Sequence, residues 1–347
     1  MPVLQYERLE SLTAEVVEAL GSPPEEAALV AKALARANLA GHDSHGVIRL
    51  EQYAAMVREG AIVPGAPLSI IKETPAIALV DGGWNFGQVI AYRVVDLVIE
   101  KARNLGIGAV ALRNSNHVGR LGEYTLQVAK QGLIAIATLN NHGRGNLVAP
   151  FGGTDGRLAT NPISIASPGP EQPLLMDITS SVTAEGKVRV KRNAGQTLPE
   201  GWIIDNQGRP STNPNDLYTD PRGAILPMGG CVAHKGYALG MMIDVLSGAL
   251  SGAGCSQSAT GRLGNAMFLC AIDLQQLVPR EEFDEHVRIL IQHVTASPPA
   301  PGFERILLSG EPELRAEAER AREGIPIDAV TWGQFAELAQ SLGVEVQ

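Results

Sequence analysis

Short apolar segments alternate with helical segments through the middle of the chain, and no other feature limits its fold as strongly. The apolar segments cover residues 77–80, 108–112 and 133–139, and each is soon followed by Gly or Asn. Between them, the segments near 88–104 and 119–131 have the apolar spacing of helices. Strands of this length separated by helices are typical of α/β proteins. The sequence therefore predicts an α/β fold.

The glycines at 106 and 108 bear on the kind of α/β fold. Gly106-Ile-Gly-Ala-Val-Ala superficially matches a dinucleotide-binding glycine fingerprint. That fingerprint needs a strand before the glycines and a helix after them, so that backbone amides face a pyrophosphate. Here the predicted helix comes first and the predicted strand follows. This order argues against an ordinary Rossmann turn.

The two ends of the chain are predicted to be helical. Ser22-Pro-Pro-Glu25 predicts a capping box that opens a helix, which runs to about Leu39 and stops at Gly41. Further helices are predicted near residues 280–295, 312–323 and 331–342. We therefore expect two parts: a mainly helical domain made of 1–75 and 275–347, and an α/β cofactor- and substrate-binding region at 76–274.

The region between about 145 and 230 is rich in Gly, Pro and Asn, with β-like runs at 158–167 and 174–178. This composition predicts a sheet edge and long loops that line a site. The segment 237–250 then has the pattern of a buried helix whose small residues, such as Gly240 and Gly248, permit close packing.

Composition excludes several classes of function. The 347 residues are 45% hydrophobic and 19% charged, enough to bury a large core. A net charge of -9 and a pI of about 5.4 argue against a nucleic-acid partner. The first residues lack the apolar stretch of a signal peptide, and no apolar run is long enough to span a membrane. The three cysteines, Cys231, Cys255 and Cys270, have no C-x-x-C spacing, and no metal-ligand set emerges. We expect a cytoplasmic protein without a metal.

The stretch from Gly41 to Tyr53 carries the strongest chemical signal. Its apolar residues predict a helix capped by Asp43 or Ser44, on which His45, Arg49 and Tyr53 share one face at i, i+4 and i+8. A guanidinium can bind a carboxylate through two hydrogen bonds, while an imidazole exchanges a proton with a neighbouring oxygen. Ser44 could orient that imidazole. A solvated helix face with a simple cap is the alternative.

Four further segments could bind an anionic cofactor. Residues 114–122 follow a predicted strand and enter a helix, so their backbone amides could hold a phosphate, with His117 near the substrate or nicotinamide. Residues 176–181 end a strand with an acid that could accept ribose hydroxyls, and His234-Lys235 begins the small-residue helix. The basic run 187–192 could also meet a phosphate. Polar capping loops and a solvated basic helix face are the alternatives.

Taken together, these segments resemble the type 2 malate/L-lactate dehydrogenases. Relatives of that family include ureidoglycolate and sulfolactate dehydrogenases, diketogulonate reductase, and Δ1-piperideine-2-carboxylate/Δ1-pyrroline-2-carboxylate reductases. The resemblance covers nearly the whole chain and rests on the motifs Gly-His-Asp-Ser-His-Gly at 41–46 with Arg49, Asn-Ser-Asn-His-Val-Gly at 114–119, Ala-Pro-Phe-Gly-Gly at 149–153, Ala-Thr-Asn-Pro-Ile at 159–163, Met-Asp-Ile-Thr-Ser at 176–180 with Gly186-Lys187, Leu-Pro-Glu-Gly-Trp at 198–202, His-Lys-Gly-Tyr at 234–237, and Gly-Ala-Leu-Ser-Gly at 248–252.

The resemblance implies a non-Rossmann α/β fold, usually a homodimer, with NAD or NADP and a small carboxylate substrate in a cleft between domains. By the same resemblance, Ser44 and His45 are the relay and proton donor, Arg49 binds the substrate carboxylate, and Thr160 lies near the substrate; Tyr53 is added from its position on the same face. His117 is a rival for the acid–base role. The implied cofactor contacts are His117, Val118, Gly119, Arg120, Leu121, Met176, Asp177, Ile178, Lys187, His234, Lys235, Gly310, Glu311 and Pro312.

Three places depart from the family pattern. Lys187 stands where some imine-reducing relatives carry Asp, while residues 141–144 and 264–267 lack the apolar, Pro-containing stretch and the His and Phe often found there. These changes suggest a remodelled substrate pocket. Arg120, Arg144 and 187–192 each supply positive charge that could read a 2′-phosphate, so both NAD and NADP stay open.

The sequence thus predicts NAD(P)-dependent hydride transfer at C2 of a 2-hydroxy or 2-oxo acid such as malate or lactate. Reduction of a cyclic 2-imino acid is the alternative. A hydrolase that uses Ser44 is a weaker reading, because no G-x-S-x-G elbow is present. A non-catalytic binding protein that kept the fold is a third.

Overall fold

The centre of the molecule is a mixed sheet with a helical layer packed on it. The computed structural model describes residues 2–143, 146–193, 195–257 and 262–346. Within these ranges the seven-stranded sheet has the order β2-β3-β4-β11-β5-β6-β7. Its strands are β2 (Ser69–Glu73), β3 (Ile77–Asp81), β4 (Ile107–Ser115), β5 (Ile134–His142), β6 (Pro162–Ser167), β7 (Leu174–Thr179) and β11 (Gly264–Ile272).

The sheet confirms the predicted non-Rossmann α/β fold. Strands β3 and β4 are parallel and are joined by α4 (Gly87–Leu105), and α5 (Leu121–Lys130) joins β4 to β5. Strand β11 lies between β4 and β5 and is antiparallel to both, so β4 and β5 run in the same direction without touching. A returning strand from late in the chain therefore separates two strands that a Rossmann sheet would place side by side.

Close helix–strand packing explains the glycines at 106 and 108. Gly106 ends α4 in the left-handed conformation with φ +81°, which favours glycine. A Cβ at Gly108 would lie 2.6 Å from the Val98 carbonyl oxygen, so α4 can approach β4 only at a residue without a side chain. The core between them includes Val94, Val98, Val110 and Leu112, all fully buried. The predicted order of helix before strand is confirmed.

A second core joins the two ends of the chain. Strands β1 (Val3–Leu4) and β12 (Ile325–Pro326) pair antiparallel. Leu9, Leu34, Leu50 and Phe335 bury their side chains in one cluster, contributed by helices α1 (Tyr6–Ala19), α2 (Pro24–Leu39), α3 (Leu50–Arg58) and α10 (Ala329–Ser341). Strand β2 lies in the central sheet although it precedes residue 75. The predicted domain boundaries stay a prediction.

The capping box predicted at Ser22 is wrong, although the helix it introduces is present. Helix α2 begins at Pro24 with Pro23 as its N-cap, and no side chain caps it. Proline forces the residue before it into an extended conformation, and Pro23 accordingly has ψ 145°. The helix can therefore start only after Pro23, one residue later than a Ser22 cap requires.

The region predicted as loops and sheet edge contains more regular structure than expected. Helix α6 (Glu185–Asn193) lies in it, followed by a three-stranded sheet with the order β10-β8-β9. Its strands are β8 (Ile203–Ile204), β9 (Pro210–Ser211) and β10 (Ala224–Ile225). Helices α8 (Arg280–Thr295) and α9 (Glu311–Glu323) match the positions predicted near the C-terminal end.

The helix predicted at 237–250 is present but only half buried. Helix α7 (His234–Asp244) continues into a π-helical segment, Val245–Ala249. Its small residues face the protein: a Cβ at Gly240 would lie 2.9 Å from Ser180 Oγ. The larger apolar side chains face outward, with Met242 56% and Leu250 57% exposed. The small residues are packing positions, as predicted, but they occupy one face of the helix and not its whole surface.

Candidate active site

Two histidines from distant parts of the sequence stack at one end of the sheet. The ring centroids of His45 and His117 lie 5.6 Å apart, with an angle of 23° between the ring planes. A hydroxyl lies beside Nδ1 of each ring: Ser44 Oγ at 3.0 Å from His45, and Tyr53 Oη at 2.6 Å from His117. Within the described residues, neither Nε2 atom has a hydrogen-bond partner. Both rings thus keep Nε2 available for a ligand.

The segment that carries His45 is not the single helix predicted. Two 3-10 turns, Asp43–His45 and Val47–Arg49, flank Gly46, whose backbone is extended at φ -90° and ψ -152°. Helix α3 begins only at Leu50. His45, Arg49 and Tyr53 therefore do not share one helical face. The break is stabilised from outside the segment by Asn38.

Asn38 holds this segment through both ends of its amide. It is 2% exposed, its Oδ1 accepts from the Val47 amide at 2.9 Å, and its Nδ2 donates to Asp43 Oδ1 at 2.7 Å. A Cβ at Gly46 would lie 2.0 Å from Asn38 Oδ1, so only glycine fits against it. Asp43 also accepts from the guanidinium of Arg320 in α9. Asp43 and Ser44 are thus bound elsewhere and do not cap a helix.

Arg49 lies next to the histidines with one end of its guanidinium engaged. Its Nε donates to the Ser44 carbonyl at 2.7 Å and its Nη1 to Gln52 Oε1 at 3.0 Å. Its Nη2 lies 3.9 Å from the position of a Cβ at Gly186, at the start of α6. Burial lowers the pKa of Arg49 from its ordinary value. The guanidinium is oriented for an anion between the histidine loop and α6.

The Tyr53 side chain is buried, whereas a residue that contacts the substrate would face open space. It is 1% exposed, and its hydroxyl lies between His117 Nδ1 and Gln88 Nε2, the latter at 2.7 Å. Burial raises the pKa of Tyr53 to about 12. Gln88, in the first turn of α4, was not found from the sequence, because it is 35 residues from Tyr53 and belongs to no motif.

Both histidines are held in the neutral form. Burial, together with the positive charges of Arg49, His42, Arg120 and Lys187, lowers the pKa of His45 to about 3. Burial, followed by the charge of Arg49 and by His45, lowers the pKa of His117 well below its ordinary value. Several cations thus surround the histidine pair, an arrangement that favours anionic ligands.

Arg120 is buried without a hydrogen-bond partner. Its side chain is 3% exposed, and none of its three guanidinium nitrogens makes a hydrogen bond in the described part of the chain. Asp177 Oδ2 lies 3.6 Å from Arg120 Nε. A small cavity of about 30 Å³ is lined by Arg120 together with Leu175, Gly310 and Glu313. Asp177 balances the charge of Arg120 but accepts no hydrogen bond from it, so the guanidinium keeps all of its donors for a further anionic group.

Asp177 changes the predicted use of the α5 N-terminus. Its Oδ2 accepts from the Gly122 amide at 2.9 Å, so a carboxylate occupies the position suggested for a phosphate. Burial raises the pKa of Asp177, and the positive charge of Arg120 opposes that effect. The Val118 amide is also engaged, by Asn265 Oδ1 at 3.0 Å. A phosphate at this entry would meet Arg120 rather than the amides of Val118 and Gly122.

Some of the other residues predicted to contact the cofactor lie near Arg120 and Asp177. Met176 and Ile178 flank Asp177 on β7, Leu121 begins α5, and Gly119 packs near Gln88. Gly310 packs on Leu175, beside the cavity, at the start of α9. Glu311 and Pro312 form the first turn of α9, but the Glu311 carboxylate already accepts from the Leu308 amide and Arg315.

Three predicted residues have no contact with the histidine pair. Among the described contacts, the Thr160 carbonyl accepts from Ser180, and the His234 ring packs edge-on against Phe151 at 5.7 Å. Lys235 is exposed beside it. Arg144, considered for the 2′-phosphate, lies outside the described residues.

A polar cluster on α6 completes the surroundings of Arg49. Tyr218 Oη donates to Glu185 Oε1 at 2.8 Å, and Arg189 Nη2 donates to Glu185 Oε2 at 3.0 Å. Both Glu185 and Arg189 lie close enough to influence the charge of Arg49. Sequence reasoning did not find this cluster, because Tyr218 follows α6 by 25 residues.

The described residues form neither a membrane-spanning helix nor a cluster of metal ligands. None of the described helices combines the length and the hydropathy needed to cross a bilayer. Across residues 2–143, 146–193, 195–257 and 262–346, no three His, Cys, Asp or Glu side chains converge as metal ligands.

The chain is similar to proteins of one family over nearly its whole length. The family model for malate/L-lactate dehydrogenase matches residues 4–336. A malate dehydrogenase of Pyrococcus horikoshii is 39% identical, covering 98% of this chain and 95% of the relative. An L-sulfolactate dehydrogenase of Methanocaldococcus jannaschii is 35% identical, covering 99% and 98%. The solved structure of malate dehydrogenase from Pyrococcus horikoshii OT3 has a TM-score of 0.90 at 37% identity, covering 100% of this chain and 97% of that chain.

Proposed function

Because the chain belongs to the malate/L-lactate dehydrogenase family and is therefore an oxidoreductase, we propose that it transfers a hydride reversibly between NAD or NADP and C2 of a small 2-hydroxy acid. The observation that carries this proposal is the pair of stacked histidines beside Arg49. A 2-oxo acid has a carboxylate next to its reacting carbonyl, and these residues supply one partner for each.

Arg49 binds the substrate carboxylate in this proposal. Its Nη2 and the free hydrogen of Nη1 can form two parallel bonds to a carboxylate, because Nε and one Nη1 hydrogen are already used. The carboxylate fixes the substrate in the plane of the guanidinium. The neighbouring carbonyl oxygen then lies against the histidine pair, where a proton can be donated to it. Positioning of this kind lowers the entropic part of the barrier.

The nicotinamide cofactor supplies the hydride when it is bound. Arg120, whose buried guanidinium makes no hydrogen bond among the described residues, binds the cofactor phosphates, and the ion pair with Asp177 keeps that guanidinium in place. Lys187, His234 and Lys235 are further proposed contacts that carry positive charge or hydrogen-bond donors. Both NAD and NADP fit these features.

Anion binding also prepares the acid. The cations Arg49, Arg120 and Lys187 all lower the pKa of His45, after burial itself. A substrate carboxylate on Arg49 and phosphates on Arg120 neutralise those charges, so the pKa of His45 rises when both ligands are present. His45 then holds a proton only when there is a substrate to receive it. General acid catalysis of this kind contributes about 10²–10⁴-fold to the rate.

A 2-hydroxy acid fits the site better than a cyclic imino acid. Lys187 stands where some imine-reducing relatives carry an Asp, so no carboxylate is available at that position. The excess of positive charge around His45 favours substrates with a second anionic group over lactate. Malate is such a substrate, and the names of the relatives include malate and L-sulfolactate dehydrogenase.

We further propose a cytoplasmic homodimer that buries the outer face of α7. Met241, Met242, Val245 and Leu250 are 44%, 56%, 45% and 57% exposed on one side of this helix and its π-helical extension. Contiguous apolar faces of this kind mark interaction surfaces. Met242→Glu should yield monomers by light scattering, whereas Leu277→Glu, at a residue 81% exposed outside this face, should not. Unchanged mass for Met242→Glu would remove α7 from the interface.

The test of the activity is oxidation of NADH and NADPH with a panel of oxaloacetate, sulfopyruvate, pyruvate and cyclic 2-imino acids. We expect turnover of an anionic 2-oxo acid, and loss of that turnover in Arg49→Met with near-normal cofactor binding. Turnover confined to the cyclic imino acids would replace the hydroxy-acid proposal. No turnover and no cofactor binding would refute it.

A further inference from the structure

A buried hydrogen-bond chain leads from α4 through α3 to His117. Gln88 Nε2 donates to Tyr53 Oη at 2.7 Å, and Tyr53 Oη lies 2.6 Å from His117 Nδ1. Gln88 and Tyr53 are 0% and 1% exposed, so water does not compete for these groups. The protons in this hydrogen-bond chain therefore belong to Gln88, Tyr53 or His117 and are not shared with water.

The number of protons along this hydrogen-bond chain determines the tautomer of His117. An amide Nε2 can only donate, so Tyr53 Oη accepts from Gln88. With a pKa of about 12, Tyr53 keeps its own proton at neutral pH. The remaining neighbour of that hydroxyl is His117 Nδ1, which must then accept it. Neutral His117 consequently carries its proton on Nε2, the atom without a partner among the described residues.

The orientation of the Gln88 amide supports this assignment. In the observed orientation, Gln88 Oε1 is a buried acceptor without a partner. Turning the amide over would engage Oε1 but would leave an NH₂ group with two buried donors unpaired. Unpaired buried donors are rarer in proteins than under-used acceptors. The observed orientation is therefore the less costly of the two.

The other histidine, His45, has a hydrogen-bond partner that does not fix its protonation state. Ser44 Oγ lies 3.0 Å from His45 Nδ1 and has no other hydrogen-bond partner in the described ranges. A hydroxyl that is free to rotate can donate to an unprotonated Nδ1 or accept from a protonated one. His45 can thus gain and lose a proton at Nε2 without breaking its contact. His117 cannot, because protonation of Nδ1 would set two donors against Tyr53 Oη and leave its own proton without an acceptor.

We propose that Gln88 and Tyr53 are positioning residues that lock His117 as a neutral Nε2–H donor, so that His45 alone carries the transferred proton. The inference rests on the proposed dehydrogenase function. In the direction of reduction, C2 of the substrate receives the hydride, and the C=O π electrons move to oxygen. That oxygen accepts a hydrogen bond from His117 and takes a proton from Nε2 of the His45 imidazolium. His45 is left neutral and takes its next proton from water.

Nitrogen NMR of protein labelled with [¹⁵N]histidine tests the lock without any turnover. The two ring nitrogens resonate differently according to which one carries the proton, and the His117→Asn variant identifies the His117 signals. We expect His117 to be protonated on Nε2 and not to titrate between acid and neutral pH. A proton on Nδ1, or an imidazolium at neutral pH, would overturn the proposal.

Tyr53→Phe removes the hydroxyl and keeps the ring. We expect the His117 signals to become a mixture of the two tautomers and kcat to fall about tenfold, the equivalent of one lost hydrogen bond to a reacting group. Tyr92→Phe is the matched control, because Tyr92 is a buried tyrosine that packs edge-on against Tyr124 in the neighbouring core. It should leave tautomer and rate unchanged. An unchanged tautomer in Tyr53→Phe would refute the lock.

Gln88→Met provides a second variant should Tyr53→Phe be unstable. It keeps the side-chain volume and removes the donor to Tyr53. We expect the Nε2–H form to lose its dominance, because the tyrosine hydroxyl becomes free to accept from Nδ1. If no 2-oxo acid turns over but His117 is locked, the dehydrogenase proposal fails while the lock stands. If turnover occurs and His117 titrates, the lock fails alone.

Discussion

Replacing Asn38 tests whether the broken helix around Gly46 is held from outside, as the structure indicates. Asn38→Ala removes the acceptor of the buried Val47 amide and the donor to Asp43. An unpaired buried amide costs about 1–3 kcal/mol, and the lost bond to Asp43 adds about 1 kcal/mol, because Arg320 still pairs with that carboxylate. We expect a loss of about 2–4 kcal/mol in the free energy of unfolding.

The functional effect should be specific to the histidine segment. Asn38 holds Asp43 and Val47, which lie on either side of Ser44 and His45, and neither of these side-chain hydrogen bonds involves Arg120. The ratio kcat/KM for the 2-oxo acid should therefore fall by at least tenfold, with the dissociation constant of NADH or NADPH within about threefold of wild type. Urea unfolding, steady-state kinetics and cofactor fluorescence measure the three quantities.

Two variants sharpen the result. Asn38→Asp keeps an acceptor for Val47 but places a second carboxylate beside Asp43, so its destabilisation should shrink as the pH falls and the carboxylates are protonated. Asn206→Ala, in an exposed loop, should change stability by less than about 0.5 kcal/mol. A similarly small effect of Asn38→Ala, or equal losses in kcat/KM and cofactor affinity, would refute the reasoning.

Three further predictions concern the charged corner and the histidines. Arg120→Met should destabilise the ligand-free protein by about 3 kcal/mol, since it leaves the buried Asp177 carboxylate without its ion-pair partner, and should weaken NADH or NADPH binding by about tenfold to a hundredfold; thermal unfolding and fluorescence titration measure the two effects, and a variant more stable than wild type would contradict this. The pKa of His45 is about 3 in the folded protein and 6.5 ordinarily, so its contribution to stability is complete above pH 6.5 and is lost as the pH falls towards 3. His45→Asn should therefore make the urea midpoint fall less steeply with decreasing pH in the acid range. An unchanged acid dependence would argue against a buried neutral His45. Gly122→Ala would put a Cβ 2.6 Å from Asp177 Oδ2 and should lower both stability and cofactor affinity. Gly333→Ala in α10, with open space at the Cβ, is the control and should stabilise the protein by about 0.5–1 kcal/mol. Equal changes in stability for the two variants would rule out the clash.

The sequence predicted those features that depend on local pattern. Apolar runs and helical spacing identified strands β3, β4 and β5 and the helices between them, because each signal lies within one element. The reversed order at Gly106 excluded a Rossmann turn, and the inserted strand β11 is the reason for that difference. Motifs drew attention to His45 and His117, which the structure brings together, and their roles stay predictions.

The errors arose where distant residues decide the local conformation. A helix through His45 was predicted from apolar spacing, but Asn38 and Arg320 stabilise two 3-10 turns instead. The α5 amides were considered for a phosphate, with a polar capping loop as the alternative, and Asp177 from another strand occupies one of them. Gln88 carries no local signal at all, since its role depends entirely on a tyrosine in another helix. Such contacts require knowledge of the packed structure.

The attachment of the His45 segment to α9 has a consequence for biosynthesis. Asp43 is fastened by Arg320, 277 residues later, and His42 by Glu313 of the same helix. During synthesis the histidine segment leaves the ribosome long before the α9 residues that hold it. A nascent chain without α9 would therefore contain both histidines but lack the contacts that α9 makes with Asp43 and His42. Complete ordering of the histidine segment would thus wait until α9 docks against it.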